Sequence, residues 1–260
     1  MKKSIIIGTI SLVLISLFTG CGGDSTVQLI TTPTGTTVTA TPTTGTGATA
    51  TPTTGTGATA TPTTGTGADG VYTQNGGTVS QTGKSYSSTT ADISAVTIDG
   101  SGNFTLTDST ITKSGNTSSA DNSSFYGLNA GVLVKGSSKM TLSNSKVTTT
   151  GTGANGIFAY GSGAEINVSD TTVICTAQLG HAVMASGGGK LTVSNVNMAT
   201  DGANSGAIAT DRGGGTISVT GGNVTTSGAD APGIYSTGTI TVSGATISAT
   251  GSEGAVIEGA

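Results

Sequence analysis

From residue 95 onward one phrase recurs, and its period decides what this chain can fold into. The phrase has two parts. The first reads AVTIDG (95–100), GVLVKG (131–136), GIFAYG (156–161), AVMASG (182–187), GAIATD (206–211), GIYSTG (233–238) and GAVIEG (254–259). The second reads FTLTDSTIT (104–112), MTLSNSKVT (140–148), INVSDTTVI (166–174), LTVSNVNMA (191–199), ISVTGGNVT (217–225) and ITVSGATIS (240–248). From residue 131 the first parts begin 25, 26, 24, 27 and 21 residues apart. Repeats in this range mark stacked arrays. The two-residue alternation of apolar and small polar side chains excludes the helical arrays.

Each unit holds three short strands, as at 157–160, 166–169 and 172–175. A Gly-rich corner separates the first two. The second corner carries Asn144, Asp170, Asn195 or Gly221, residue types that tolerate the left-handed backbone of a sharp turn. Three strands per turn close one rung of a right-handed parallel β-helix, with the next rung about 4.8 Å along the axis. The expected fold is therefore an all-β solenoid of about seven rungs over 95–260, with 70–94 as an irregular first rung or cap.

Alternation assigns the faces. In the second strands, Phe104/Leu106, Met140/Leu142, Ile166/Val168, Leu191/Val193, Ile217/Val219 and Ile240/Val242 point inward; in the third, Ile111, Val147, Val173, Met198, Val224 and Ile247 do so. In the first strands Val132/Val134, Ile157/Ala159, Val183/Ala185 and Ala207/Ala209 are placed inside. That leaves Leu133, Phe158, Met184, Ile208, Tyr235 and Val256 as an outward apolar row. This row is the candidate binding surface, unless a loop covers it. Phe125 and Tyr126, together in the insertion 114–129, join it as candidates or fold back over a strand edge.

Composition limits the function. Of 260 residues 44 are Gly, aromatics are 3% and charged residues 8%, against about 25% charged in an ordinary domain. A net charge of −4 without a basic stripe argues against nucleic acid as a partner. Catalytic machinery is sparse. Arg212 is the lone arginine and His181 the lone histidine, with no Ser/His/Asp arrangement around it. The acids Asp99, Asp108, Glu165, Asp170, Asp201 and Asp230 fall mostly in corners or loops. Asp99, Asp211 and Glu258 end first strands, but on rungs that are not adjacent. The expectation is no enzyme, no catalytic residue, no metal site and no cofactor. Cys175 has no partner for a disulfide framework if Cys21 is acylated, and reads as a small buried hydrophobe.

The N-terminus reads as a targeting segment. Lys2 and Lys3 precede an apolar run at 5–18, shorter than the roughly 20 residues that span a bilayer. "LFTGC" then ends at Cys21 and resembles a bacterial lipobox, with Phe18 where Leu is more usual. The resemblance implies a signal peptide at 1–20, lipidation at Cys21 and a stable membrane anchor in a bacterial envelope, at the outer membrane or cell surface. Gly22, rather than Asp, follows the cysteine and favours the outer membrane. The stretch "TATPTTGTGA" at 39–48 recurs letter for letter at 49–58 and 59–68. Residues 21–69 thus form a lipidated cysteine and a Thr/Pro/Gly spacer, which reaches about 40 Å as a coil or ~150 Å fully extended.

The grammar of 95–260 resembles the right-handed parallel β-helix family, in the pattern of pectate-lyase-like folds and of passenger domains of bacterial surface adhesins. The resemblance implies a non-catalytic, envelope-anchored module for adhesion or surface interaction, with surface glycans or another protein as partner. The alternative it implies is a carbohydrate-binding module, or a degenerate polysaccharide lyase or hydrolase. A Thr/Ser/Asn ladder on the outer side of the second strands also resembles ice-binding solenoids, which hold threonine more strictly. The last phrase stops after one strand, so end-to-end self-association through an uncapped C-terminus is a further expectation.

Overall fold

The computed structural model describes residues 69–258 and, as backbone only, three N-terminal strands at Lys3–Ile5, Thr26–Thr32 and Gly35–Thr41. The expected signal peptide, Cys21 and the spacer repeats otherwise lie outside the described residues. From Tyr72 the chain winds into a parallel β-helix with three sheets, one per strand of the rung. Seven complete rungs run from Tyr72–Asn75, Thr78–Thr82 and Ser85–Ser88 to Ile234–Ser236, Thr239–Ser243 and Thr246–Ala249, and Ala255–Ile257 adds one strand. The segment 70–94 thus supplies a first rung, paired in the same parallel register as the others. The backbone of Lys3–Ile5 pairs antiparallel with Ala255–Ile257, and Thr26–Thr32 with Gly35–Thr41.

The rungs form because every local choice agrees. At the corner between second and third strands Asp108, Asn144, Asp170 and Asn195 take φ between 48° and 53°, with Gly221 and Gly244 completing the column. From Asp108 to Gly221 each of these residues then donates its N–H to the next rung, as Asn144 does to Ser169 O at 3.2 Å. One residue further on, the hydroxyls of Ser109, Ser145 and Thr171 close the corner by donating back to Thr107, Ser143 and Ser169 carbonyls at 2.6–2.7 Å. Corner polarity is satisfied locally, so the interior stays apolar.

That interior holds the inward pairs expected on the second strands, all buried, and Ile111, Val147, Val173, Met198 and Val224 of the third; Ile247, in the last complete rung, is half-buried. One assignment is corrected. Ile208, not Ala209, stands in the core, because Ile208 pairs with Val183 and Ala209 with Met184. Ala207 occupies the turn position ahead of the strand, so the phrase there is shifted by one residue. The larger side chain fills the core and the smaller one takes the outer row.

The third corner carries an inward polar column. Ser88, Thr149 and Thr200 each donate to the carbonyl five residues ahead. Cys175 stands in the same column, with its Sγ 3.4 Å from His181 O, and burial pushes its thiol pKa up to about 12. It is a structural residue, not a nucleophile. The column also contains Lys113, fully buried, whose ammonium donates to Thr90 O at 2.7 Å and Gly115 O at 2.9 Å. Burial lowers its pKa from 10.5 to about 8, against a smaller opposing pull from Asp92. Above about pH 8 the folded chain has therefore released a proton that the unfolded chain still holds, so stability rises with pH towards 10.5. Thermal melts between pH 7.5 and 9.5 should show this rise, and Lys113→Met should flatten it. The upper limit avoids the opposing titration of Tyr86 and Tyr235, whose phenols burial pushes upward. An unchanged pH slope in Lys113→Met would show that another group carries it.

Candidate functional site

The insertion after the second rung builds the site. Part of it forms a short helix, Ala120–Tyr126. Ser119 caps it by accepting the Asn122 N–H at 3.2 Å, and Gly127 ends it at φ 70°. The buried hydroxyl of Ser123 donates to Gly153 O, and Asn155 Nδ2 to Ser123 O at 3.1 Å, tying the helix to the solenoid.

This helix and the turn after it cover the outward row on the first strands. Leu133, Phe158 and Met184 lie one above another in register and are 3%, 0% and 0% exposed. They form a second, smaller core with Ala130 and Ala209, against which Leu128, Tyr160 and Tyr235 pack. The expectation that this row is an exposed binding surface is thereby corrected at Leu133, Phe158 and Met184, and at Ile208, which is in the main core. Bulky apolar side chains on a solenoid face draw the nearest insertion over themselves, since burying Phe158 alone is worth about 1.5–3 kcal/mol. Phe125 and Tyr126 belong to the cover and are only half-buried. Tyr126 meets Tyr160 edge to face at 5.4 Å between centroids.

Past the helix, the face becomes polar. Two outward columns run side by side along the first strands. One continues from Met184 through Ala209 and Tyr235 to Val256; the other carries Ser186, Asp211, Thr237 and Glu258. The buried Ser186 hydroxyl donates to Phe125 O at 2.6 Å, fixing the end of the helix. The Arg212 guanidinium then lies 3.9 Å over the Phe125 ring. Asp211 Oδ1 accepts the Arg212 N–H at 2.7 Å. Tyr235, one rung further, donates its phenol to Glu258 Oε2. Burial, then the neighbouring charges of Glu258 and Asp121, hold the Asp211 carboxyl above its ordinary range, although its bond to Arg212 and that cation pull the other way. Tyr235 lies on the rung between Asp211 and Glu258, bonded to Glu258 and within reach of the charge of Asp211. Reading only adjacent rungs missed this, because a tyrosine in the neighbouring column reaches across.

The remaining candidates hold structural positions. His181 is buried, its ring Nδ1 lies 2.8 Å from Gly206 O, and burial lowers its pKa, which keeps the imidazole neutral. Asp99 pairs with Lys135 at 3.0 Å and Glu165 with Lys139 at 2.8 Å, both between adjacent rungs. Among the described residues no three His, Cys, Asp or Glu side chains are grouped to hold a metal ion, and no helix is long and apolar enough to cross a membrane. The ladder on the second strands is in register, with Ser80, Thr105, Thr141, Asn167, Thr192, Ser218 and Thr241 in one column.

No family model, curated protein or solved structure matches the chain.

Proposed function

We propose that the protein is a non-catalytic binding module, displayed on a bacterial envelope by a lipid on Cys21 and the Thr/Pro/Gly spacer, that attaches to polyhydroxylated ligands, glycans of a surface or matrix. The observation that carries this reading is the polar and aromatic ground left once the helix has closed over the apolar row. A protein-docking face would leave such a row open. Here Leu133, Phe158 and Met184 are sealed, and what faces water beside them is a tyrosine, a guanidinium and two carboxylates. Rigid aromatic and hydrogen-bonding groups of this kind suit sugar rings and hydroxyls. The pectate-lyase-like likeness of the repeat fits a saccharide ligand, without the paired acid and base that cleavage needs.

A glycan array probed with the full chain tests the reading, which expects retention on a subset of saccharides; an array with no bound feature refutes it. The anchor is tested separately. Cys21→Ser should abolish metabolic lipid labelling and leave the leader uncleaved, and normal labelling in that variant would remove the anchor from the proposal.

A second reading, ice binding, has the in-register ladder on the second strands in its favour. Asn167 and the serines break the threonine regularity that such a face needs. Thermal hysteresis of the purified protein would decide it.

A further inference from the structure

The saccharide reading is here given a place and a ligand class. We propose that the shelf formed by Asp211, Arg212, Tyr235 and Glu258 beside Phe125 holds a single neutral pyranose residue by its vicinal hydroxyls.

Four elements converge on this shelf: the covering helix, the end of the sixth rung's first strand, and the first strands of the last two turns. Phe125 and Tyr235 are held before any ligand arrives. Phe125 is held through its carbonyl by the buried Ser186, and its ring lies under the Arg212 guanidinium. Arg212 is exposed and forms no ion pair among the described residues, so its donor fork is open to a ligand. Asp211 Oδ1 accepts the backbone N–H of Arg212, and Oδ2 takes no hydrogen bond among the described residues. Tyr235 is half-buried and its phenol is held by Glu258.

The donor and acceptor pattern selects the ligand. Each sugar hydroxyl both donates and accepts. A carboxylate beside a guanidinium meets one of each on neighbouring hydroxyls, and the Tyr235 ring offers an apolar surface to the C–H face of the pyranose. The charges of Asp121 and Glu258 reach Asp211 beside a single arginine, so an anionic sugar meets net repulsion. A metal-bridged mode has no support, since no three ligating side chains are grouped here among the described residues.

Calorimetry with the full chain tests this, using cellohexaose, mannohexaose and chitohexaose as neutral probes and hexagalacturonate as the anionic one. The expected result is binding of at least one neutral probe, weakened at least about tenfold by Asp211→Asn and by Arg212→Ala, and unchanged by Thr192→Ala on the second face. Tyr235→Phe keeps the ring and loses the bond to Glu258, so it should weaken binding without disturbing the fold, which circular dichroism checks. Neutral binding that survives both Asp211→Asn and Arg212→Ala would overturn the shelf while leaving the saccharide reading intact, and so would tighter binding of hexagalacturonate. Failure of every probe together with an empty array would overturn the saccharide reading and the shelf with it.

Discussion

Val168→Asp is expected to unfold the middle of the solenoid, while Ser169→Asp leaves its melting temperature nearly unchanged. The two positions are neighbours on one strand and differ only in the direction they face. Val168 is 2% exposed and stacks between Leu142 and Val193 on the adjoining rungs. An aspartate there removes apolar burial worth roughly 1.5–3 kcal/mol and adds a carboxyl with no partner, at a further cost of about 1–3 kcal/mol even when protonated. The combined loss, on the order of 4 kcal/mol, exceeds what most single substitutions inflict. It falls on the fourth of seven rungs, so both halves of the stack lose a neighbour. Ser169 faces outward in the hydroxyl ladder and meets only the like charge of Asp170, screened by water. Urea or thermal denaturation of the two variants separates them, and equal stabilities would mean that the inside and outside of these strands have been assigned the wrong way round.

That parity was legible because each rung repeats the same test. Val168 sits in a strand of alternating side chains, and five other second strands alternate in phase with it. The corner residues were legible for a similar reason: Asn144, Asp170, Asn195 and Gly221 share one site in the phrase, and one backbone conformation suits them all. The repeat could not report what breaks it. At 206–211 a Gly–Ala pair precedes the isoleucine, and two small residues in a row leave the start of the strand ambiguous by one. Only the pairing of Ile208 with Val183 resolves it. The covering helix was harder still. Its signals were present, with Ser119 as cap, Asp121 in the first turn and Gly127 as stop, but seven residues are too few to show a helical period. The shelf required that helix, since Phe125 and Arg212 are 87 residues apart in sequence and meet only when the insertion lies across four rungs. The acids were visible as strand ends, and the bond from Tyr235 to Glu258 was not, because it runs between columns.

The covering helix can be removed by one substitution. Gly127 turns the chain at φ 70°, and a β-carbon added there would lie 2.6 Å from two atoms of the Phe158 ring and 2.7 Å from Leu133 Cδ1. Gly127→Val therefore combines two costs. A branched side chain in the left-handed region is strained by about 1–2 kcal/mol. The Phe158 ring is fully buried and cannot yield, so the helix must lift away from the row beneath it. The expected result is a loss of several kcal/mol and a new apolar surface at Leu133, Phe158 and Met184, seen as binding of a hydrophobic dye at temperatures where the wild type binds none. Gly136→Val is the control for strain alone. It has nearly the same φ, 65°, and its added β-carbon would come no nearer than 3.4 Å to a side-chain oxygen of Asp99. It should show the smaller loss and no dye binding. Because Phe125 travels with the helix, Gly127→Val should also abolish binding at the shelf, with Arg212 losing the ring it rests on. If Gly127→Val and Gly136→Val melt alike and neither binds dye, the helix does not seal the row, and Phe158 owes its burial to something else.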